Sequence, residues 1–269
     1  MAVLAGGGAS WLLLAVLGLF ILAPLLTIAL QAFASEWFYP SVLPSGWTAS
    51  WWQTVLGGYG LTSAVKWSFI LAPTVTAVSA LICLPAAYAF ARKDFPGKRA
   101  MMMIIFATSA FPKMGLYIAM ASVFYSLNLM GTFVGVVIVQ LLETLVIMTW
   151  IPAAAFAGVP RSLEEAARDA GAGPVRTFLN VTFPLALPGI LVAMILAFLA
   201  SLDEAQGTFL VGVPKYVTMP VEMYTLVSSY PGPATAVFAI LLTIPSLLLL
   251  ALVRKHIFSS TLAQGYRIR

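Results

Sequence analysis

Charge is scarce in this sequence. Only 9% of the residues are charged while 61% are hydrophobic, and the mean hydropathy is +1.00; soluble domains carry roughly 25% charged residues. A water-soluble chain of 269 residues could not hide that much apolar surface, so most of it is expected to sit in lipid. Cysteine is nearly absent as well. Cys83 stands alone in an apolar run, which excludes an internal disulfide. No paired Cys/His spacing for zinc occurs, and His256 is the only histidine. Phosphate-binding and catalytic signatures are missing too. There is no dinucleotide fingerprint, no Ser/His/Asp set and no Gly-x-x-x-x-Gly-Lys-Ser/Thr loop; Gly97-Lys98-Arg99 lacks both the upstream glycine and the hydroxyl residue. The chain is expected to be no enzyme and to hold no metal or cofactor. The formal charge of +5 and pI near 9.4 do not by themselves point to nucleic acid, because the basic residues must first be placed relative to a bilayer.

What the sequence has in quantity is long apolar runs. A helix that crosses a bilayer needs about 20 mostly apolar residues. Segments 11–33, 67–90, 101–125, 132–157, 188–210 and 234–253 qualify. Lipid satisfies no backbone hydrogen bonds, so spanning segments are helices or strands of a closed barrel. Barrel strands alternate polar and apolar residues, whereas these runs are continuously apolar. The fold class expected is an all-α membrane protein of six transmembrane helices in one domain over 1–269. Eleven of the 14 basic residues follow the second, fourth and sixth segments, among them Arg92, Lys93, Arg161, Arg168, Arg254 and Lys255. The positive-inside rule makes that side, and with it both termini, cytoplasmic. Trp37, Trp47, Trp51, Trp52 and Trp67 cluster at the opposite face, as an interfacial belt does. Although Ala32-Phe33-Ala34 resembles a cleavage site, residues 1–10 carry no basic residue. The first run also exceeds the roughly 7–15 residues of a signal core, so it is expected to stay as a membrane anchor.

The connection 158–187 differs from the others. Within it, Ser162 suits an N-cap with Glu165 three residues on, a capping-box pattern, and Glu164 and Glu165 favour the positive end of a helix dipole. Ala166, Ala167 and Ala170 give a smooth face, Gly171 permits a sharp turn, and Pro174 can begin a second helix. A charged cytoplasmic hairpin of this kind suits docking into a partner's groove; on composition alone it reads equally well as a solvated connection.

Glu165-Ala166-Ala167, then Gly171, then Val181-Thr182-Phe183-Pro184 resembles the signature loop of permease subunits in binding-protein-dependent type I ABC importers. The family pattern is Glu-Ala-Ala, Gly and Ile-x-Leu-Pro at that spacing; Val181 and Phe183 depart from it conservatively. The resemblance covers roughly residues 67–253. It implies a type I permease fold in a bacterial cytoplasmic membrane, and contacts from Ser162, Glu164, Glu165, Ala166, Ala167, Asp169, Gly171 and Pro184 to an ATPase. It further implies a second permease subunit, two ATP-binding cassette subunits that carry ATP and Mg, and an extracytoplasmic solute-binding protein. Ser201-Leu202-Asp203-Glu204, with Phe209 to Gly212 and Met219 to Tyr224, is similar to the second permease subunit of spermidine/putrescine importers. That implies a small polar solute, polyamine-like or alternatively sugar, iron, phosphonate or opine.

Ionisable groups within spans are costly and mark pathways by default. Lys113, beside Pro112 and Gly115, is expected midway along a kinked third span, Glu143 midway along the fourth, and Asp203 and Glu204 in the outer half of the fifth. They are candidates for the solute pathway, or else Lys113 and Glu143 neutralise each other and hold the bundle together. A cationic polyamine would be repelled by an unpaired Lys113. Gln140 and Gln206 are expected to be interhelical hydrogen-bond glue. An ion-coupled secondary transporter with Lys113, Glu143 and Asp203 as a relay is the competing reading, but the two halves show no inverted repeat. A non-transporting scaffold would not need several intramembrane charges.

Overall fold

The computed structural model describes residues 7–38 and 40–265. The side chains beyond 251 lie outside the described residues, and with them the tail groups Arg254, Lys255, His256, Arg267 and Arg269. Among the described residues there is no strand, only an isolated bridge between Ala34 and Trp47. The helices are α1 (Gly7–Gln31), α2 (Ser50–Leu56), α3 (Tyr59–Arg92), α4 (Lys98–Ala107), α5 (Lys113–Ser126) and α6 (Phe133–Ala157). They continue with α7 (Arg161–Asp169), α8 (Pro174–Thr177), a π-helical turn (Phe178–Thr182), α9 (Phe183–Leu202), α10 (Gln206–Gly212), α11 (Met219–Ser229) and α12 (Gly232–Gly265).

Among the described residues, four runs are long and apolar enough to cross a membrane: Ser10–Gln31, Gly60–Arg92, Phe133–Ala157 and Pro174–Leu202; Gly232–Leu248 is a shorter apolar helix. Two hydrophobic segments are partitioned differently from expectation. Segment 101–125 is two helices, α4 and α5, because Pro112 at the N-cap of α5 adopts ψ 113° and, lacking an N–H, cannot carry the ladder through. Segment 188–210 is broken after Leu202, so the fifth span begins at Pro174 instead and α10 is a separate short helix.

The contacts divide the chain into two compact units, residues 1–61 with 222–247, and residues 62–221 with 248–269. In the first, Phe33 and Trp52 lie ring to ring at 5.5 Å, and the Trp52 indole donates to the Ala32 carbonyl at 3.1 Å. The second is built around α6 and α9. Its core joins Ala153 and Phe156 of α6 to Ala186 and Ile190 of α9, beside Ala87 and Phe90 of α3. Small residues let the backbones approach, as membrane helix pairs require. At Gly189 an added Cβ would stand 2.6 Å from the Ala155 Cβ, so only glycine fits there. This packing brings the cytoplasmic connection against the end of α3 and the start of α9, and sets α10 against α5 and α6.

Candidate functional site: a clamped coupling helix and a polar cluster between spans

The cytoplasmic connection is a short helix, a glycine turn and a second helix. α7 starts after Pro160 with no side-chain cap bond. Ser162 is therefore inside the first turn, not at the N-cap, and Glu165 makes no capping box; the proline supplies the stop in place of the hydroxyl. The end is a Schellman turn. Gly171 has φ 85°, its N–H donates to the Arg168 carbonyl at 2.8 Å, and the Ala172 N–H donates to the Ala167 carbonyl at 3.0 Å. Pro174 then opens α8.

The two adjacent glutamates of α7 differ in exposure. Glu165 is exposed, as are Leu163, Ala166 and Asp169 on the helix and Pro184 at the start of α9, while Ala167 is half-buried. Glu164 is buried. Its Oε1 lies 2.9 Å from Nη2 of Arg92, with both side chains 8% exposed, and accepts from the Thr182 hydroxyl at 2.7 Å. The same Nη2 donates to the Val159 carbonyl at 2.7 Å. One carboxylate thus ties α7 to the end of α3 and to the π-helical turn that leads into α9. Arg92 and Thr182 were missed as functional residues in the sequence. Arg92 was legible only as a cytoplasmic charge and Thr182 only as the variable position of the motif. Glu164 is thus buried and held within this clamp.

The intramembrane groups separate into two sets. Lys113, in the first turn of α5, pairs with Glu143 of α6 at 2.7 Å; their side chains are 55% and 18% exposed. The second oxygen of Glu143 accepts from the Tyr117 hydroxyl at 2.7 Å, and Tyr117, which the sequence did not single out, is buried. Beyond it lies a buried hydrogen-bond chain. The Ser201 hydroxyl donates to Oε1 of Gln140 at 2.7 Å, Nε2 of Gln140 donates to Thr208 at 2.8 Å, and the Thr208 hydroxyl donates to Glu204 at 2.6 Å. Glu204 also accepts the N–H groups of Gly207 at 2.6 Å and Thr208 at 2.9 Å, so it caps α10. Every member of the chain has a partner, which a buried polar network requires. Gln140 is the glue expected of it; Gln206 is exposed and makes no such bond among the described residues. Asp203 is exposed with no side-chain partner among them. The adjacent carboxylates expected to act together are thus divided, one committed to the fold and one free.

Comparison with known proteins identifies the family. Residues 79–261 match the family described as binding-protein-dependent transport system inner membrane component. The chain belongs to that family. This permease is 34% identical over 75% of its length, and 90% of the relative's, to the putative ABC transporter permease protein ORF1 of Streptomyces antibioticus. It is 28% identical to the trehalose transport system permease protein SugB of Mycobacterium tuberculosis, over 80% of this chain and 81% of that one. It is also 28% identical to the sulfoquinovosyl glycerol transport system permease protein SmoH of Agrobacterium fabrum, over 74% and 71%. Its fold is like that of a solved bacterial ABC transporter involved in the import of the acidic polysaccharide alginate, with TM-score 0.67 and 22% identity over 93% of this chain and 95% of the other. The permease is accordingly a multi-pass inner-membrane subunit of the type I fold. Family membership removes the secondary transporter and the scaffold as readings. No relative among these carries the spermidine/putrescine assignment.

Proposed function

We propose that this permease forms the solute path of an ATP-driven importer. A second, similar permease subunit completes the path, two ATPase subunits bind ATP and Mg and hydrolyse the nucleotide, and an extracytoplasmic binding protein delivers the solute. The observation that carries this reading is the division of labour on α7. Its outer side offers Leu163, Glu165, Ala166 and Asp169 to a partner, while Glu164 fastens its inner side to α3 and the start of α9. Closure of the ATPase pair against the exposed side would move α7, and the clamp would carry that motion into two spans. The path opens outward when the ATPases close and inward after hydrolysis.

For the solute, the charge arrangement favours a neutral or weakly charged polar molecule over a polyamine. A polyamine wants several free carboxylates. Here, of the carboxylates considered for the path, Glu143 is neutralised by Lys113 and Glu204 is consumed in capping α10, which leaves Asp203 exposed. Relatives named for trehalose and for sulfoquinovosyl glycerol support a glycoside or small sugar. Lys113 with Glu143 offers a donor beside an acceptor, an arrangement suited to hydroxyl groups. The test is uptake by proteoliposomes holding the permease with its ATPases and binding protein, given labelled disaccharide or spermidine. ATP-dependent disaccharide uptake is the expected result. Spermidine uptake in its place would reverse the solute assignment, and uptake driven by an ion gradient without ATP would reject the mechanism.

A further inference from the structure

The cytoplasmic end of α3 carries two adjoining cavities. One is a groove of about 750 Å³ between α3 and the α8–α9 junction, with Ala80, Leu81, Leu84, Phe178 and Leu179 in its walls. The other is a pocket of about 300 Å³ against α7, lined by Arg92, Arg161, Arg168, Glu164 and Glu165. Tyr88 and Lys93 belong to both. The first lies alongside the hydrophobic span and the second where that span meets the cytoplasm.

Their chemistry is sharply different. The groove is walled by hydrocarbon and aromatic surface, while the pocket has an excess of cations. Glu164 is already matched by Arg92, which leaves Lys93, Arg161 and Arg168 facing Glu165 as the single uncommitted acid. None of those three cations has an ion-pair partner among the described residues. Arg92 lines the pocket as well, and its Nε, buried beside it, has no hydrogen-bond partner among the described residues.

We propose that this composite cavity binds one anionic phospholipid of the cytoplasmic leaflet, with an acyl chain in the groove and its phosphate among Lys93, Arg161 and Arg168. In a bilayer an acyl chain gains little by leaving its neighbours for a protein groove, because both surroundings are apolar. The groove therefore sets position while the charged pocket sets selectivity. Basic pockets between spans on the cytoplasmic side suit such headgroups, and a phosphate is bound well by arginine. The phosphate would bridge the end of α3 to α7, reinforcing the Arg92–Glu164 clamp. The consequence for coupling rests on the function proposed above; the binding itself does not.

The test is lipid retention by the assembled transporter, purified in mild detergent from nanodiscs of phosphatidylcholine mixed with phosphatidylglycerol and read by native mass spectrometry. Phosphatidylglycerol should remain bound in preference to phosphatidylcholine. Lys93→Gln should lower that retention about fivefold, the share of one interfacial cation, and Leu81→Trp should remove it by filling the groove while leaving every cation in place. Leu81 is 78% exposed, so the larger side chain does not disturb the core. Equal retention of the two lipids would overturn the proposal, as would retention unchanged in both variants. Displacement by inorganic phosphate with no effect of Leu81→Trp would reduce the site to a small-anion pocket. Efficient disulfide cross-linking of Leu81→Cys to a second permease subunit would make the groove an interface instead. Since the readout is bound lipid, its failure leaves the transport reading standing, and a failure of transport leaves the lipid result standing.

Discussion

The carboxylate of Glu164 and the guanidinium of Arg92 meet at 2.9 Å beneath α7, each side chain 8% exposed. The bond joins residues 72 positions apart in the chain, and it converts a short surface helix into part of the membrane bundle. Its neighbour Glu165, one residue on, faces solvent.

Removing one partner of a buried ion pair leaves the other uncompensated and costs roughly 3–5 kcal/mol. Glu164→Ala should therefore lower the thermal midpoint of the purified transporter, and ATP hydrolysis that survives should no longer drive uptake in proportion. Exchanging the charges, Arg92→Glu with Glu164→Arg, should recover part of both. A single substitution with unchanged stability and unchanged uptake per ATP hydrolysed would show that the clamp transmits nothing.

On the outer side of α7 the expectation is reversed. Glu165→Lys replaces an exposed group and should alter permease stability by no more than about 0.5 kcal/mol, while ATPase co-purification falls. Gly171→Val forces a β-branched residue into φ 85°, at a cost of roughly 1 kcal/mol or more. Nothing lies within 4 Å of a Cβ there, so the penalty is conformational and the turn is redirected without a clash. Full association and normal uptake in both variants would reduce the loop to a connector.

Asp203 and Glu204 should part company when substituted. Glu204→Gln replaces an acceptor-only carboxylate with an amide whose NH2 cannot receive the N–H groups of Gly207 and Thr208, so the main loss is stability, on the order of 1–3 kcal/mol. Asp203→Asn should leave the unfolding midpoint unchanged and reduce uptake. Should Asp203→Asn destabilise the protein and Glu204→Gln leave it untouched, the division drawn between them is wrong.

Lys113 and Glu143 form a bond open to measurement by a double-mutant cycle. Lys113→Met leaves Glu143 with Tyr117 alone, and Glu143→Met leaves an unpaired cation in a membrane segment. The double variant should be more stable than the sum of the two single losses by about 0.5–3 kcal/mol. Strict additivity would mean that the pair contributes nothing to holding α5 against α6.

Much of the architecture was legible in residue order. Apolar runs declare themselves because a span is selected by local composition, and the side on which Arg92, Arg161 and Arg168 lie follows from counting. Gly171 was legible for a similar reason, since its left-handed φ is set by its own missing Cβ. The breaks at Pro112 and after Leu202 were harder to place. A proline shows that a helix is perturbed, but whether it bends or stops depends on what packs around it. In the second break, Glu204 competes for the backbone donors of Gly207 and Thr208 and starts a new helix within an apolar run.

The sequence by itself determined that this chain crosses the membrane and which loop carries the family's signature spacing, because each of these depends on composition or spacing within a few turns of chain. Only the tertiary structure decided which carboxylates are spoken for. Glu164 and Glu165 are adjacent and chemically identical, as near neighbours as Asp203 and Glu204. Whether one is held in the fold and the other left exposed depends on Arg92, Thr182 and Thr208, which the fold brings alongside. A buried charge is stable only beside its partner, and that partner can lie anywhere in the sequence.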